Sequence, residues 1–372
     1  PADVDACYHA MLDLLEGWND SGKFQFDLSR IYSTGQSMGS VATIALAENA
    51  AANGCEFRFN TEVQRICRQD DHFLLETAQG VLESRVVISA AGVYGDTLHN
   101  QLCETKLTIV PRRGEYCLLD RRDGELVQHT IFQLPSAMGK GVLVSPTVHG
   151  NLIVGPDAVP VHGDDTSCTS KGLEFVKATA QRSVPSINFG ESIRNFAGVR
   201  ANVDTGDFVI GEAEGAPGFI DLAGMKSPGL SSAPAVAKEV VRILEGHGDL
   251  PAAKTDYRDG RTRVRFKELP PEEKAKLIAR NPAYGRVICR CETITEGEIL
   301  DALHTEIPAT TIDGVKRRCN AGMGRCQGGF CGPRVLELIS RTRGIDPLDV
   351  LQDKAGSNVL LCETKQEGTN HD

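Results

Sequence analysis

The sequence predicts an α/β part, an antiparallel-sheet part of α+β kind, and a small helical, cysteine-rich part near the C-terminal end. Three observations carry this. First, Val86-Val-Ile88 is continuously apolar, as in a strand covered on both faces, and it runs into Ala90-Ala-Gly92 ahead of a helical stretch. Second, residues 110–119, 142–144 and 151–154 read as strands whose alternation suits an antiparallel sheet. Third, Cys289-Arg-Cys291 is followed after 34 residues by Cys326-Gln-Gly-Gly-Phe-Cys331, so one short segment closes on four thiols.

In chain order, residues 10–16 suit a short amphipathic helix, and the pattern from Thr43 to Ala51 a helix that Asn53-Gly54 ends. Strands are expected at 55–60, 62–68, 73–77 and 82–90, with Gly80 marking a turn. After the sheet segments comes a polar loop at 163–170, a helix at 171–182 stopped before Pro185, and strands at 207–212 and 218–224. The glycine-bearing turn Gly224-Met225-Lys226-Ser227-Pro228-Gly229-Leu230 opens a helix at about 233–244. A polar, basic stretch at 251–284, with a short helix at 272–280, reads as a solvated connector. Helices at 295–304 and 333–343 follow, the first with Thr295 and Glu298 in capping-box positions. The last ten residues read as disordered.

With 372 residues and 41% hydrophobic content, the chain suffices for two or three domains with cores. A net charge of −10 argues against nucleic acid as a partner, because phosphate backbones need a basic face. No run of 18 apolar residues occurs, so no transmembrane helix is expected, and no export signal is visible. Twelve cysteines under these conditions read as a reducing, cytoplasmic setting, with the membrane surface as the alternative address.

The four close thiols suit a metal cage. Structural zinc sites usually present C-x2–4-C knuckles, whereas C-x-C with a glycine-rich second half suits an iron-sulfur cluster; zinc and unligated thiols are the alternatives. Gly322, Gly324, Gly328, Gly329 and Gly332 surround the second pair and let backbone N–H groups turn toward sulfur. Cys319 reads as a plain buried or half-buried thiol. Elsewhere, Ala90, Ala91 and Gly92 at a strand end would let a backbone approach a dinucleotide pyrophosphate, and the turn 224–230 would offer N–H groups at a helix start. Arg200, after Phe196-Ala-Gly-Val, is either an anion anchor or a surface cation paired with Asp204 or Asp207. His149, near a turn, is either a base or solvated.

Two stretches carry a family resemblance. The run Val287-Ile-Cys-Arg-Cys-Glu-Thr-Ile-Thr-Glu-Gly-Glu298, with Asp313-Gly-Val-Lys-Arg-Arg318 and Ala321-Gly-Met-Gly-Arg-Cys-Gln-Gly-Gly-Phe-Cys-Gly-Pro-Arg334, resembles the bacterioferritin-associated-ferredoxin-like (BFD-like) 2Fe-2S domain. More narrowly, it is similar to the version fused behind FAD-dependent, glycerol-3-phosphate-dehydrogenase-like oxidoreductases. That likeness implies a 2Fe-2S cluster held by Cys289, Cys291, Cys326 and Cys331. The segment 85–96 resembles the second FAD contact of the D-amino-acid-oxidase-like flavoproteins, and spans 28–361 as a whole follow the family.

The resemblance implies FAD contacts at Val63, Ala90, Ala91, Gly92 and residues 224–230, Arg200 as the substrate-anion site, Tyr116 pointing toward substrate, and Lys226 near flavin and substrate. Its fold would be an FAD-binding Rossmann-like domain with an antiparallel-sheet substrate domain (105–205), together spanning 1–265. A linker (266–285), a small helical 2Fe-2S domain (286–343) and a tail (344–372) would follow. The family's G-x-G-x-x-G unit has no counterpart here, Gly35-x-x-x-Gly39 included, so the FAD domain reads as incomplete. A truncated chain, a processed chain and a partner subunit completing the site are the three expectations.

The implied reaction is oxidation of a small anionic alcohol, glycerol 3-phosphate foremost, by hydride transfer to FAD. Electrons would then leave singly through the cluster to a quinone or protein acceptor. The alternatives are amino-acid or 2-hydroxy-acid dehydrogenation, or a non-catalytic electron-transfer or assembly subunit.

Overall fold

A computed structural model describes residues 37–134, 141–248, 255–258 and 263–363. The expected helix at 10–16 and the expected disordered tail lie outside these residues. The chain divides into two compact units, one of Phe57–Thr255, the other of the described residues of Pro1–Glu56 and Asp256–Asp372. No described helix is long and apolar enough to cross a membrane.

The Phe57–Thr255 unit opens with a meander of β1 (Val63–Gln69), β2 (His72–Thr77) and β3 (Gly80–Ser84). The strand read at 82–90 is two: β3 ends in the meander, and β4 (Val87–Ser89) leaves it to run parallel to β11 (Phe219–Ala223), which also pairs with β10 (Val209–Glu212). Ile66, Phe73, Val87 and Phe219 form the core between these sheets. The strand expected at 55–60 is absent: Phe57 and Phe59 stack on each other at 6.1 Å and stay exposed, and Asn60 turns the chain with φ 54°. After β4 a turn at Gly92–Tyr94 leads into α2 (Gly95–Leu102); α1 (Ser37–Ala52) belongs to the other unit.

The antiparallel sheet is built on β5 (Ile109–Leu119), paired along its whole length with β9 (Ser192–Val203). Its opposite edge takes β7 (Leu152–Gly155) and β8 (Val159–Pro160), and β6 (Leu143–Pro146) extends β7. One face packs Cys117, Leu119, Val144, Leu152 and Val154 against Val176 and Ala180 of α3 (Ser170–Ser183), which is the apolar-in alternation expected of the sheet. Beneath the same face Glu115, fully buried, accepts from Thr169 N and Oγ1 and pairs with Arg113 at 3.1 Å, so the sheet and the N-cap of α3 share one ionic knot. A final helix, α4 (Gly229–His247), begins four residues before the sequence suggests and ends on Gly248 in the left-handed region.

In the other unit, after α5 (Pro271–Arg280), the elements β12 (Val287–Cys289), β13 (Ile294–Thr295), α6 (Glu296–Leu303), α7 (Ile312–Cys319) and α8 (Gly332–Arg343) enclose a core of Ile294, Ile299, Val315, Val335 and Ile339. The capping box forms as expected: Thr295 Oγ1 accepts from Glu298 N, and Glu298 accepts from Thr295 N. Residues 266–285 are packed where the sequence suggests a solvated connector. Phe266, Leu277 and Tyr284 make a buried cluster, and Phe266 N donates to Glu298. Glu48 of α1 is buried in this unit, 3.7 Å from Arg318 of α7.

Candidate functional site: a small-residue cleft, an arginine grip and a four-thiol loop

At the C-terminal ends of β4 and β11 a cleft of about 430 Å³ is lined by Ala90, Gly92, Val93, Val199, Ala201, Leu222, Gly224, Met225, Lys226, Gly229, Ala233, Val236 and Ala237. Ligand crevices in open parallel sheets form at these strand ends. Of the residues implied as FAD contacts, Ala90, Gly92, Gly224, Met225, Lys226 and Gly229 line it. Ala91, Ser227, Pro228 and Leu230 are chain neighbours of the lining, and Val63 opens β1 in the meander.

The walls are small because the backbone must come close. Gly224 has φ +74°, and a Cβ there would stand 2.8 Å from Val203. The N-terminus of the 19-residue α4 opens at the same loop, adding unpaired N–H groups and positive dipole. Below the cleft lies a buried pair that sequence reading missed. His99 Nε2 donates to the Thr105 carbonyl, and Nδ1 lies 2.6 Å from Asp221, whose carboxyl burial pushes up. His99 and Asp221 are 122 positions apart, so no local pattern announces them.

The second feature is a grip on one guanidinium. Arg200 Nη2 donates to Tyr116 Oη at 2.8 Å and Nε to Ser227 Oγ at 2.7 Å; it pairs with neither Asp204 nor Asp207 in these contacts. Tyr116 stacks on Phe196 at 5.2 Å across the β5–β9 pair. Burial raises the Tyr116 phenol, although the Arg200 charge and hydrogen bond pull the other way, so Tyr116 is a neutral acceptor toward Arg200 with its own O–H left to give. Strand alternation turns Val199 and Ala201 to the cleft and Arg200 to the other face.

The loop after β11 reaches both sides: Lys226 and Gly229 line the cleft, and Ser227 holds Arg200. Lys226 sits at φ 53°, uncommon for a side-chain-bearing residue, and its Nζ donates to the Gly206 carbonyl. The structure thus gathers Tyr116, Arg200 and the 224–229 loop, while His149 lies in an exposed turn after β6.

In the other unit the four thiols meet as two pairs that cross the sequence spacing. Cys291 Sγ and Cys326 Sγ are 3.6 Å apart, and Cys331 donates to Cys289. Two thiolates on one tetrahedral ion at about 2.3 Å would stand roughly 3.7 Å apart, so the first spacing fits ligation without rearrangement. Among the described residues no three His, Cys, Asp or Glu side chains converge on a single-ion position. Two pairs suit two irons with two protein thiolates each better than one zinc needing all four.

Charge is distributed the same way. The hydrogen bond from Cys331, helped by N–H groups of Gly322 and Glu292, pulls Cys289 down to about 6, while Cys331 is raised by the same bond. Burial works against Cys326, but N–H groups of Phe330 and Gly328 and the Cys291 thiol outweigh it and lower it; Cys291 is raised chiefly by that bond. Gly322 and Gly328 have φ of 84° and 91°, the conformations that aim such N–H groups at sulfur. Cys319 is fully buried and pushed up to about 12, outside the thiol set.

The cleft and grip suit a flavin-type oxidoreductase, and the paired thiols suit an iron-sulfur centre. The chain belongs to the FAD dependent oxidoreductase family, whose model matches residues 21–243, and the model for the BFD-like [2Fe-2S] binding domain matches residues 287–341. FAD and a 2Fe-2S cluster are the cofactors of these two families, and the small-walled cleft and paired thiols fit them.

The chain is 45% identical over 327 residues to a glycerol 3-phosphate dehydrogenase of Caloramator mitchellensis, covering 87% of this chain and 68% of the relative. It is 37% identical over 212 residues to a glycerol 3-phosphate oxidase of Mycoplasma genitalium, covering 55% of each. In structure it resembles the FAD-bound L-alpha-glycerophosphate oxidase of Mycoplasma pneumoniae at TM-score 0.51, with 31% identity and 58% of each chain covered. The FAD-complexed glycerol-3-phosphate dehydrogenase of Bacillus halodurans shares the fold at TM-score 0.60, with 15% identity, 82% of this chain and 69% of that one covered.

Proposed function

We propose that this chain oxidises a small anionic alcohol, glycerol 3-phosphate foremost, and passes the electrons on singly. The observation that carries the reading is Arg200 of β9, its charge uncancelled, held by Tyr116 and by Ser227, whose loop also lines the cleft. The names of these two relatives, the glycerol 3-phosphate dehydrogenase of Caloramator mitchellensis and the glycerol 3-phosphate oxidase of Mycoplasma genitalium, support the same substrate.

FAD, when bound, supplies the acceptor for a hydride, and the 2Fe-2S group supplies a one-electron relay. Everything else falls to the chain. Arg200 binds the anionic end with two parallel N–H bonds and so fixes the distance from that end to the carbinol. Tyr116 and Ser227 orient Arg200, and the free phenolic O–H is a donor toward a substrate oxygen. Lys226 keeps a positive charge at the cleft, which favours an electron-rich occupant. The small walls at Ala90, Gly92 and Gly224 admit a flat, bulky group and leave little room for water beside it.

Cys289, Cys291, Cys326 and Cys331 are the proposed cluster ligands, within a cluster domain of 286–343 that follows an oxidoreductase part of 1–265 and a linker of 266–285. A quinone or a protein is the proposed acceptor, and a partner chain the proposed completion of the FAD site. The eleven described cysteines are all free thiols, which fits a cytoplasmic address, at the membrane surface if the acceptor is a quinone.

The test is anaerobic purification, an absorption spectrum with iron, sulfide and flavin assays, and then addition of glycerol 3-phosphate. Bleaching of the flavin, lost in Arg200→Ala, is the expected result. Flavin that is present yet unchanged by glycerol 3-phosphate overturns the substrate, iron and sulfide without flavin argue against catalysis by this chain alone, and zinc without sulfide overturns the cluster.

A further inference from the structure

Arg112 and Arg200 stand directly opposite each other in the β5–β9 register. Directly opposed residues of an antiparallel pair project from the same face with Cβ atoms about 4.5–5.5 Å apart, and like charges placed so repel. Neither charge is cancelled by the contacts the structure shows. Arg200 donates to two neutral hydroxyls, Tyr116 Oη and Ser227 Oγ, and Arg112 Nε is buried without a hydrogen-bond partner among the described residues.

The next rung on this face pairs Gly114 with Gly198, and the Arg200 guanidinium lies in the space this opens: a Cβ on Gly114 would fall 2.6 Å from Arg200 Nη1. One guanidinium lies flat against the sheet, and a second cation is rooted beside it. A sheet face with two cations in register is under repulsion unless an anion of matching charge joins them.

We propose that Arg112 and Arg200 form one dianion subsite, which takes the phosphate monoester end of the substrate. A carboxylate has one charge and two oxygens, and one guanidinium fork satisfies it. A phosphate monoester near neutral pH carries about 1.5 to 2 negative charges on three acceptor oxygens, enough for both forks. Arg112 is then the specificity-determining residue that separates phosphorylated alcohols from amino acids and 2-hydroxy acids, which Arg200 alone would serve. The inference rests on the proposed oxidation of a small anionic alcohol and names the feature that selects its anion.

The experiment uses the full chain, with inorganic phosphate and lactate as probes, read by calorimetric titration and by thermal unfolding. In phosphate-free buffer Arg112→Gln is expected to melt at or above the parent, because a repulsion is gone. Its phosphate affinity is expected to fall about 10- to 100-fold, the loss of a charge-assisted contact, and its lactate affinity to change less than about 3-fold. Arg112→Lys, a point charge without the fork, should fall between the two.

Equal losses for phosphate and lactate, phosphate affinity unchanged in Arg112→Gln, or no phosphate binding by the parent would each overturn the subsite. Arg112→Gln melting below the parent would overturn the repulsion on which it is argued. A flavin-loaded parent that binds phosphate through Arg112 yet leaves glycerol 3-phosphate unoxidised would sink the proposed reaction and leave the subsite standing, so the two failures are distinguishable.

Discussion

Gly324 faces Cys291 so closely that a Cβ on Gly324 would stand 2.3 Å from the Cys291 Cβ. The two thiol-bearing loops are therefore closed on each other by the lack of a side chain, and any other residue at 324 must push Cys291 out of its pair with Cys326. Overpacking of this kind costs about 1–3 kcal/mol, and here it falls on a proposed ligand position. Gly324→Ala should lower bound iron and sulfide per chain severalfold, measured by metal and sulfide assay after anaerobic purification. Full iron content in that variant would refute the close packing as a requirement.

Tyr116 gives a pH signature. Burial raises its pKa in the fold, so the ionised form is disfavoured there relative to the unfolded chain. A raised pKa contributes stability that is fully present below the unfolded value near 10 and is lost as pH climbs through the folded value. The difference in tyrosinate absorbance between the parent and Tyr116→Phe should therefore appear only above pH ~10, and the anion-binding profile should show no Tyr116 limb below it. Losing the Arg200 contact in Tyr116→Phe should weaken anion binding about 3- to 10-fold, the scale of one hydrogen bond.

The Arg113–Glu115 knot should be a stability element. Removing one member of a buried pair leaves an uncompensated charge and typically costs about 3–5 kcal/mol. Arg113→Ala should move the urea midpoint of the Phe57–Thr255 unit down sharply while leaving iron content alone. A midpoint within error of the parent would show that Glu115 is carried by its Thr169 bonds alone.

Thiol chemistry separates the cysteines by burial. Cys319, pushed up to about 12, is almost wholly protonated at pH 8, whereas Cys55 and Cys362 are exposed. Thiolates react and thiols do not. Iodoacetamide at pH 8 on the folded chain should label Cys55 and Cys362 and spare Cys319, as read by peptide mass spectrometry. Rapid labelling of Cys319 would contradict its burial in the core.

Much of this molecule was legible because its signals are local. The capping box at Thr295 and Glu298, the apolar run that became β4, and the glycines around the thiols act within a few residues of themselves, although the coverage on both faces expected of that run is not met, since Ile88 stays 44% exposed. What escaped depends on partners distant in sequence. The twelve-residue β9 carries no clean alternation, because its two faces meet a cleft and an arginine grip, so only its Gly-Val-Arg stood out. Arg112 looked like one of two arginines in a strand, and only the register with β9 sets it opposite Arg200. The strand expected at 55–60 shows the converse error: Phe57 and Phe59 stack on each other and stay in water instead of pairing into a sheet.

The loop from Gly224 to Gly229 touches the cleft with Lys226 and holds the Arg200 guanidinium, the proposed anion anchor, with Ser227. Two binding events that share so short a lever are thermodynamically linked, and linkage is reciprocal: whatever factor a filled cleft applies to anion affinity, a bound anion applies to cleft affinity. Phosphate titrated against the chain with its cleft filled and with it empty measures that factor directly. That factor is the same whichever ligand binds first, and its shortest physical link is one side chain, the hydroxyl of Ser227.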